Sequence, residues 1–144
     1  MDSLDRAIIS ELEQDGRIPN VDLAARVGIT PAPCFRRVRR LEQDGVIRGY
    51  RAVVAPEAVG RGFEVLADIE LRSHDGATVQ AFEAAMLDAE EVRELRGLFG
   101  SPDYFARVAV ADLKEYETFL STRLLHFPGI GRVLSRFTLK SSKG

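Results

Sequence analysis

The chain has no tryptophan, two methionines, two histidines and one cysteine. A single thiol, Cys34, cannot form a disulfide framework and suits a reducing compartment. His74 and His126 lie far apart along the chain, and with one cysteine they give no ligand set at metal-binding spacing. No metal and no cofactor is therefore expected. No run approaches the roughly 18 uncharged apolar residues of a membrane span, and Met1-Asp2-Ser3-Leu4 does not read as a signal peptide. A cytoplasmic protein without a membrane partner is expected. Phosphate-binding glycine loops are also missing, since Gly60-x-Gly62 has neither a third glycine nor a following helix start. No acid, base and nucleophile converge, and His126 reads as a cation at a helix C-terminus. An enzyme is not expected. What remains is 144 residues with 45% apolar content, enough for a packed core of one domain or two small ones.

Positive charge is scarce on average, with a net charge of −2, which taken alone speaks against a nucleic-acid partner. The distribution is uneven. Residues 1–29 carry three arginines against six acids, and residues 52–144 carry 11 basic against 14 acidic side chains. Residues 30–51 carry six arginines against Glu42 and Asp44 only. All the basic excess lies in this stretch, and it is all arginine, whose planar fork suits phosphates and guanine edges.

Residues 1–51 read as three helices and a hairpin. Leu4, Ile8, Ile9 and Leu12 recur at helical spacing up to Gly16, read as a C-cap. Asn20 reads as N-cap of Val21–Val27, which ends at Gly28. Thr30-Pro31 supplies an N-cap and a first-turn proline for a third helix that stops at Gly45. Two helices joined by Gly28-Ile29, the second rich in arginine, form a helix-turn-helix pattern. The β-prone segment Val46–Val54 reads as a small wing. On the third helix Cys34, Val38 and Leu41 share the inward stripe, so Cys34 is a core residue, while Ala32, Arg36, Arg39 and Arg40 lie opposite and Arg37 flanks the stripe. The N-terminal end of such a helix faces base edges and phosphates lie at its sides. Ala32, Pro33 and Arg36 are the expected base readers; Arg37, Arg39, Arg40 and Arg48 are expected on phosphates. Pairing of these arginines with Glu13, Glu42 or Asp44 is the alternative.

Residues 52–62, with Pro56, Gly60 and Gly62, read as a linker. From 63 to 144 the pattern is a strand (63–72), a helix (75–87), strands 92–99 and 104–111 around Gly100-Ser101-Pro102-Asp103, a helix capped by Asp112 and running to Leu125, and a last strand (131–140). This βαββαβ order is the ferredoxin-like split unit, making the chain α+β: a winged helix-turn-helix followed by a ferredoxin-like domain. Val65, Leu66, Ala67, Ile69, Leu71, Phe105, Val108 and Val110 suggest a sheet apolar on both faces, and hence a homodimer.

These residues resemble the leucine-responsive regulator/AsnC family of transcriptional regulators, bacterial and archaeal proteins of the feast/famine type. The resemblance is carried by Leu4-Asp5…Ile8-Ile9-x-x-Leu12-x-x-Asp15-Gly16-Arg17, by Leu23-Ala24-x-x-Val27-Gly28, and by Thr30-Pro31-x-Pro33-Cys34-x-x-Arg37-Val38-x-x-Leu41-Glu42-x-x-Gly45-x-Ile47. Gly49-Tyr50, Gly100-x-x-Asp103-Tyr104 and Pro128-Gly129 extend it over nearly the whole chain. It implies double-stranded DNA as partner, dimers that assemble into octamers (four dimers in a ring), and an amino-acid or related metabolite effector bound between dimers. It also implies that Gly100, Ser101, Asp103 and Tyr104 line the effector cleft, with Asp103 receiving an α-ammonium, and that Arg136, Phe137 and Thr138 influence the response. Where the family usually carries an acidic or polar residue and an aromatic after the glycine, this chain has Ser101-Pro102. Two alternatives stand beside this reading: an effector-independent nucleoid-type DNA organiser, and a small-molecule sensor without DNA binding.

Overall fold

The computed structural model describes all residues, Met1–Gly144. The chain separates into two compact units, Met1–Val53 and Val54–Gly144.

The first unit holds α1 (Ser3–Gln14), α2 (Asn20–Val27) and α3 (Pro31–Gln43). Ile8, Leu23, Ala24, Cys34 and Leu41 form its core, with Ile9, Leu12, Val27, Val38 and Ile47 packed around them. Asp2 caps α1: its carboxylate accepts from the Asp5 amide at 2.9 Å and Asp5 returns the bond to the Asp2 amide, a reciprocal capping box. Gly28, at φ +77°, reverses the chain between α2 and α3, a conformation open to glycine at little cost. Gly45 closes α3 in the same left-handed region, while the Val46 amide reaches back to the Leu41 carbonyl.

Three local readings change. Asn20 lies inside α2 and caps nothing; Pro19 precedes the helix, and the Asn20 side-chain Nδ2 donates to the Pro31 carbonyl at 2.8 Å, tying α2 to α3. Gly16 follows the true C-cap, Asp15, and makes room for Tyr50, whose ring would lie 3.3 Å from a Cβ there. Residues 46–54 form no hairpin: the Val46 and Ile47 amides both bend back to the Leu41 carbonyl, the rest of the segment takes no regular structure, and an isolated two-stranded ribbon is barely stable.

The second unit is a four-stranded antiparallel sheet: β1 (Phe63–Leu71), β2 (Val92–Gly97), β3 (Tyr104–Val110) and β4 (Ile130–Phe137), in the order β2-β3-β1-β4. Helices α4 (Gly76–Asp88) and α5 (Leu113–Thr122) follow β1 and β3, each capped by an aspartate, Asp75 or Asp112. This is the expected βαββαβ fold. β1 alternates between buried and half-buried positions, and Val65, Ala67, Ile69 and Leu71 pack with Phe82, Met86, Tyr116, Phe119 and Leu124 in one apolar layer.

The expected two-sided apolar sheet is not what forms. Val65, Ala67, Ile69, Leu71, Val108 and Val110 all belong to the helix-side core. On the other face alternation and register place Glu64, Leu66, Asp68 and Glu70 beside Phe105 and Arg107 of β3 and Arg132, Leu134 and Arg136 of β4. That face is a charge ladder around Leu66, Phe105 and Leu134, with Arg136 on Asp68 at 2.8 Å and Arg107 between Glu64 and Glu94. Helix α5 also stops earlier than expected. A tight turn over Leu124–His126 replaces its last residues and puts Leu124 fully into the core.

Candidate nucleic-acid interface and effector region

Helix α3 is held by its inward stripe of Cys34, Val38 and Leu41, which leaves its arginines to sort by flank. On the flank turned to α1, Arg37 donates to Asp2 at 2.8 Å and to Asp5 at 2.8 Å, and Arg40 donates to both oxygens of Asp5 at 2.8 and 2.7 Å. Asp5 is buried at 1% exposure, so its charge survives only because two guanidiniums and the Asp2 amide surround it. These bonds hold its carboxyl below the usual range against the opposing pull of burial, and the Asp5 amide with Arg37 brings Asp2 to about 2. The same ion pairs raise the pKa of Arg37.

The rest of the helix is unencumbered. Ala32 and Arg36 are exposed and Pro33 is half-buried in the first turns; Arg36 has no ion pair. Arg39 meets only Glu42, at 3.9 Å. Arg48 is exposed on the segment that follows α3 and likewise unpaired. The partners foreseen from sequence were Glu13, Glu42 and Asp44. Asp2 and Asp5 were missed, although Asp5 sits three, four and seven residues before Ile8, Ile9 and Leu12, squarely on the apolar stripe of α1. Between α1 and residues 46–53 lies a groove of about 590 Å³ lined by Ile9, Leu12, Tyr50 and Val53, the space left beside the unpaired segment.

In the second unit Asp103 anchors the loop between β2 and β3. One carboxylate oxygen accepts from the Leu71 amide at 2.8 Å, and the other meets His74 Nε2 at 2.9 Å. Those two partners hold its pKa below the ordinary carboxylate value. Sequence spacing set His74 far from the other histidine and gave it no partner; the fold brings it to Asp103. Gly100 takes φ +111° beside exposed Ser101, whose hydroxyl donates to Glu70 at 3.2 Å, and the Ser101–Pro102 bond is cis. Tyr104 turns into the core under α4, stacks at 4.9 Å on Phe82 and bonds Glu83; burial pushes its hydroxyl up to about 12.

Arg136, Phe137 and Thr138 lie elsewhere. Phe137 pairs with Val65 near the start of β1, while Tyr104 pairs with Ile69 near its end. Phe137 packs against Phe63 at 5.2 Å, and Thr138 donates to Glu64 at 2.8 Å. The two sets occupy opposite ends of the sheet and do not converge within one chain. A recess of about 100 Å³ lined by Asp68, Glu70, Pro102, Arg132 and Leu134 opens on the charged face.

Residues 1–48 match the winged helix-turn-helix DNA-binding family, and residues 64–144 match the Lrp/AsnC ligand binding domain. A leucine-responsive regulatory protein of Haemophilus influenzae is 40% identical over 130 residues, covering 90% of this chain and 78% of that one. Its Escherichia coli K12 counterpart is 38% identical over the same length, covering 90% and 79%. Among solved structures, a transcriptional regulator from Neisseria meningitidis in complex with L-methionine superposes with a TM-score of 0.95 at 31% identity, covering 100% of this chain and 93% of that one. An AsnC family regulator from Agrobacterium tumefaciens gives 0.94 at 34%, covering 100% and 94%.

Proposed function

The chain belongs to the Lrp/AsnC family of DNA-binding transcriptional regulators, and from that premise we propose that it reads its operator with the unpaired flank of α3. Ala32, Pro33 and Arg36 face base edges, and Arg39 and Arg48 bind phosphates. Arg40 joins them: Asp5 takes only its Nη2, leaving its other nitrogens free to donate. Arg37 is a strut that fixes α3 on α1. The observation that carries this is the split itself: the helix holds two of its arginines by acids and leaves Arg36 without one. The expected test results differ by residue. Arg36→Ala costs about 1–3 kcal/mol and relaxes preference at one base position, whereas Arg39→Ala weakens all duplexes alike and flattens the salt slope by about one. Equal loss on every sequence for Arg36→Ala removes it from base reading.

The second unit, matching a ligand binding domain, is proposed to take an amino acid or a related metabolite. In support, a regulator of the same fold binds L-methionine, and an α-ammonium can exchange with His74 at the Asp103 carboxylate, with Gly100, Ser101 and Tyr104 shaping the loop. Arg136, Phe137 and Thr138 sit at the other end of the sheet from Asp103, and we assign them an influence on the response exerted through a neighbouring copy of the chain. We place the protein in the cytoplasm at the nucleoid, as a homodimer with octamers as the higher assembly. No helix is long and apolar enough to cross a membrane. An effector regulates only through unequal affinity for two assembly or orientation states. Sedimentation and duplex binding with each of the twenty amino acids test this. A change in both with one of them is expected; neither changing with any overturns amino-acid control.

A further inference from the structure

Phe35 is a large aromatic residue on a helix otherwise faced with arginine, and it is 56% exposed. It is a member of neither apolar core and pairs with no other aromatic ring. Single exposed apolar residues are ordinary on protein surfaces, so the weight lies on where this one sits. It follows Cys34, which fixes the inward direction of α3, and precedes Arg36, which points outward. It lies toward the Arg39 and Glu42 side, one and two turns on, away from the flank bound to Asp2 and Asp5. Helix α3 is thus pinned along one edge, while Phe35 and Arg36 stand together near its N-terminal end, where such a helix meets base edges.

The major groove offers such a side chain little. Its edges are hydrogen-bond donors and acceptors, with one apolar group among the four bases, the 5-methyl of thymine. An aromatic ring set beside a guanidinium at the reading end of the helix matches a thymine methyl next to a base with paired acceptors. We propose that Phe35 is a specificity-determining residue that reads a thymine 5-methyl group adjacent to the base contacted by Arg36. This rests on α3 being the DNA-reading helix, and it adds an apolar determinant to a site otherwise described by its charges.

Deoxyuridine tests the proposal, because it pairs as thymine does and lacks only the methyl. Duplexes are selected from a random-sequence library with the full-length protein, and each thymine of the selected duplex is then replaced singly. At one position per half-site the replacement weakens wild-type binding about fourfold, the value of one buried methyl group. The same replacement has no measurable effect on Phe35→Ala, and Phe35→Leu, which keeps an apolar side chain, retains part of the sensitivity. If wild type tolerates deoxyuridine at every position, or if Phe35→Ala is as sensitive as wild type, Phe35 does not read a methyl. Arg36→Ala, measured on the same duplexes, separates the layers. A preference lost there but unaffected at Phe35 leaves the reading helix standing and this proposal overturned. If the wild-type protein enriches no sequence at all, the reading helix falls and this proposal with it.

Discussion

Where residues 54–144 gather fifteen buried apolar side chains between two helices and a sheet, residues 1–53 gather five among three helices. The smaller unit adds polar ties: Asp2 and Asp5 on Arg37 and Arg40, Asn20 on the Pro31 carbonyl, Arg26 on Glu11, and Tyr50 on Glu42. The larger unit also carries ion pairs, but those of Arg107 and Arg136 line the open face of its sheet, those of His74 and Arg123 lie at its loops, and none involves a residue of its apolar core. A domain this small is marginal on apolar burial alone. In the DNA-binding unit the charges that complete the fold are taken from α3, the helix richest in arginine. Arginines are therefore divided between holding α3 and presenting it, and a count of basic residues overstates what DNA meets.

The contrast can be broken first from the apolar side. Phe82 is fully buried in the larger unit, and Phe82→Ala should cost about 3–5 kcal/mol there. Hydrogen exchange should show loss of protection confined to residues 54–144; an equal loss in residues 1–53 would mean the units do not unfold separately. Asp5→Asn is the corresponding cut in the smaller unit. It should cost about 2 kcal/mol, less than a fully buried pair, since Arg37 and Arg40 keep access to water. Urea unfolding of residues 1–53, followed by exchange, measures it.

Acid sharpens the same point by a smaller amount. Asp2 and Asp5 have folded pKa values below their unfolded ones, so their contribution is complete above about pH 4 and is lost as pH falls through the folded values, toward about 2 for Asp2. Asp5→Asn should therefore show a weaker drop in the stability of residues 1–53 between about pH 5 and pH 2 than wild type does. An identical acid profile would show that Asp5 carries no net stabilising charge. Smallest is Arg26→Ala, which removes the exposed pair with Glu11 and should leave the unfolding midpoint unchanged.

Element order and core positions could be read from the sequence because they follow from periodicity. Helical spacing gave Ile8, Cys34 and Leu41, and turn residues bounded the strands around Gly100–Asp103. Errors arose where a residue's partner lies far along the chain. Asn20 has the chemistry of an N-cap, yet its amide is spent on Pro31, eleven residues away. Residues 46–54 have strand propensity and no strand to pair with. On the open face of the sheet Leu66 and Phe105 do appear, but Glu64, Asp68, Glu70 and Arg107 share it, and the cross-strand ion pairs that make it a charged face depend on register, which is set by pairing and not by composition. For the candidate site, Arg36, Arg39 and Arg48 were legible as exposed cations. The pairing of Arg37 and Arg40 with Asp5 was not, since it joins residues more than thirty positions apart.

Cys34 lies fully buried in the inward stripe of α3, and burial raises the pKa of its thiol. Being the only thiol in the chain, it is also a built-in clock for the reader. An alkylating reagent can mark the protein at this sulfur only while α3 is lifted from α1 and α2. The rate of labelling then counts openings of the DNA-reading unit alone, and protection on adding a duplex reports the occupied helix without any engineered probe.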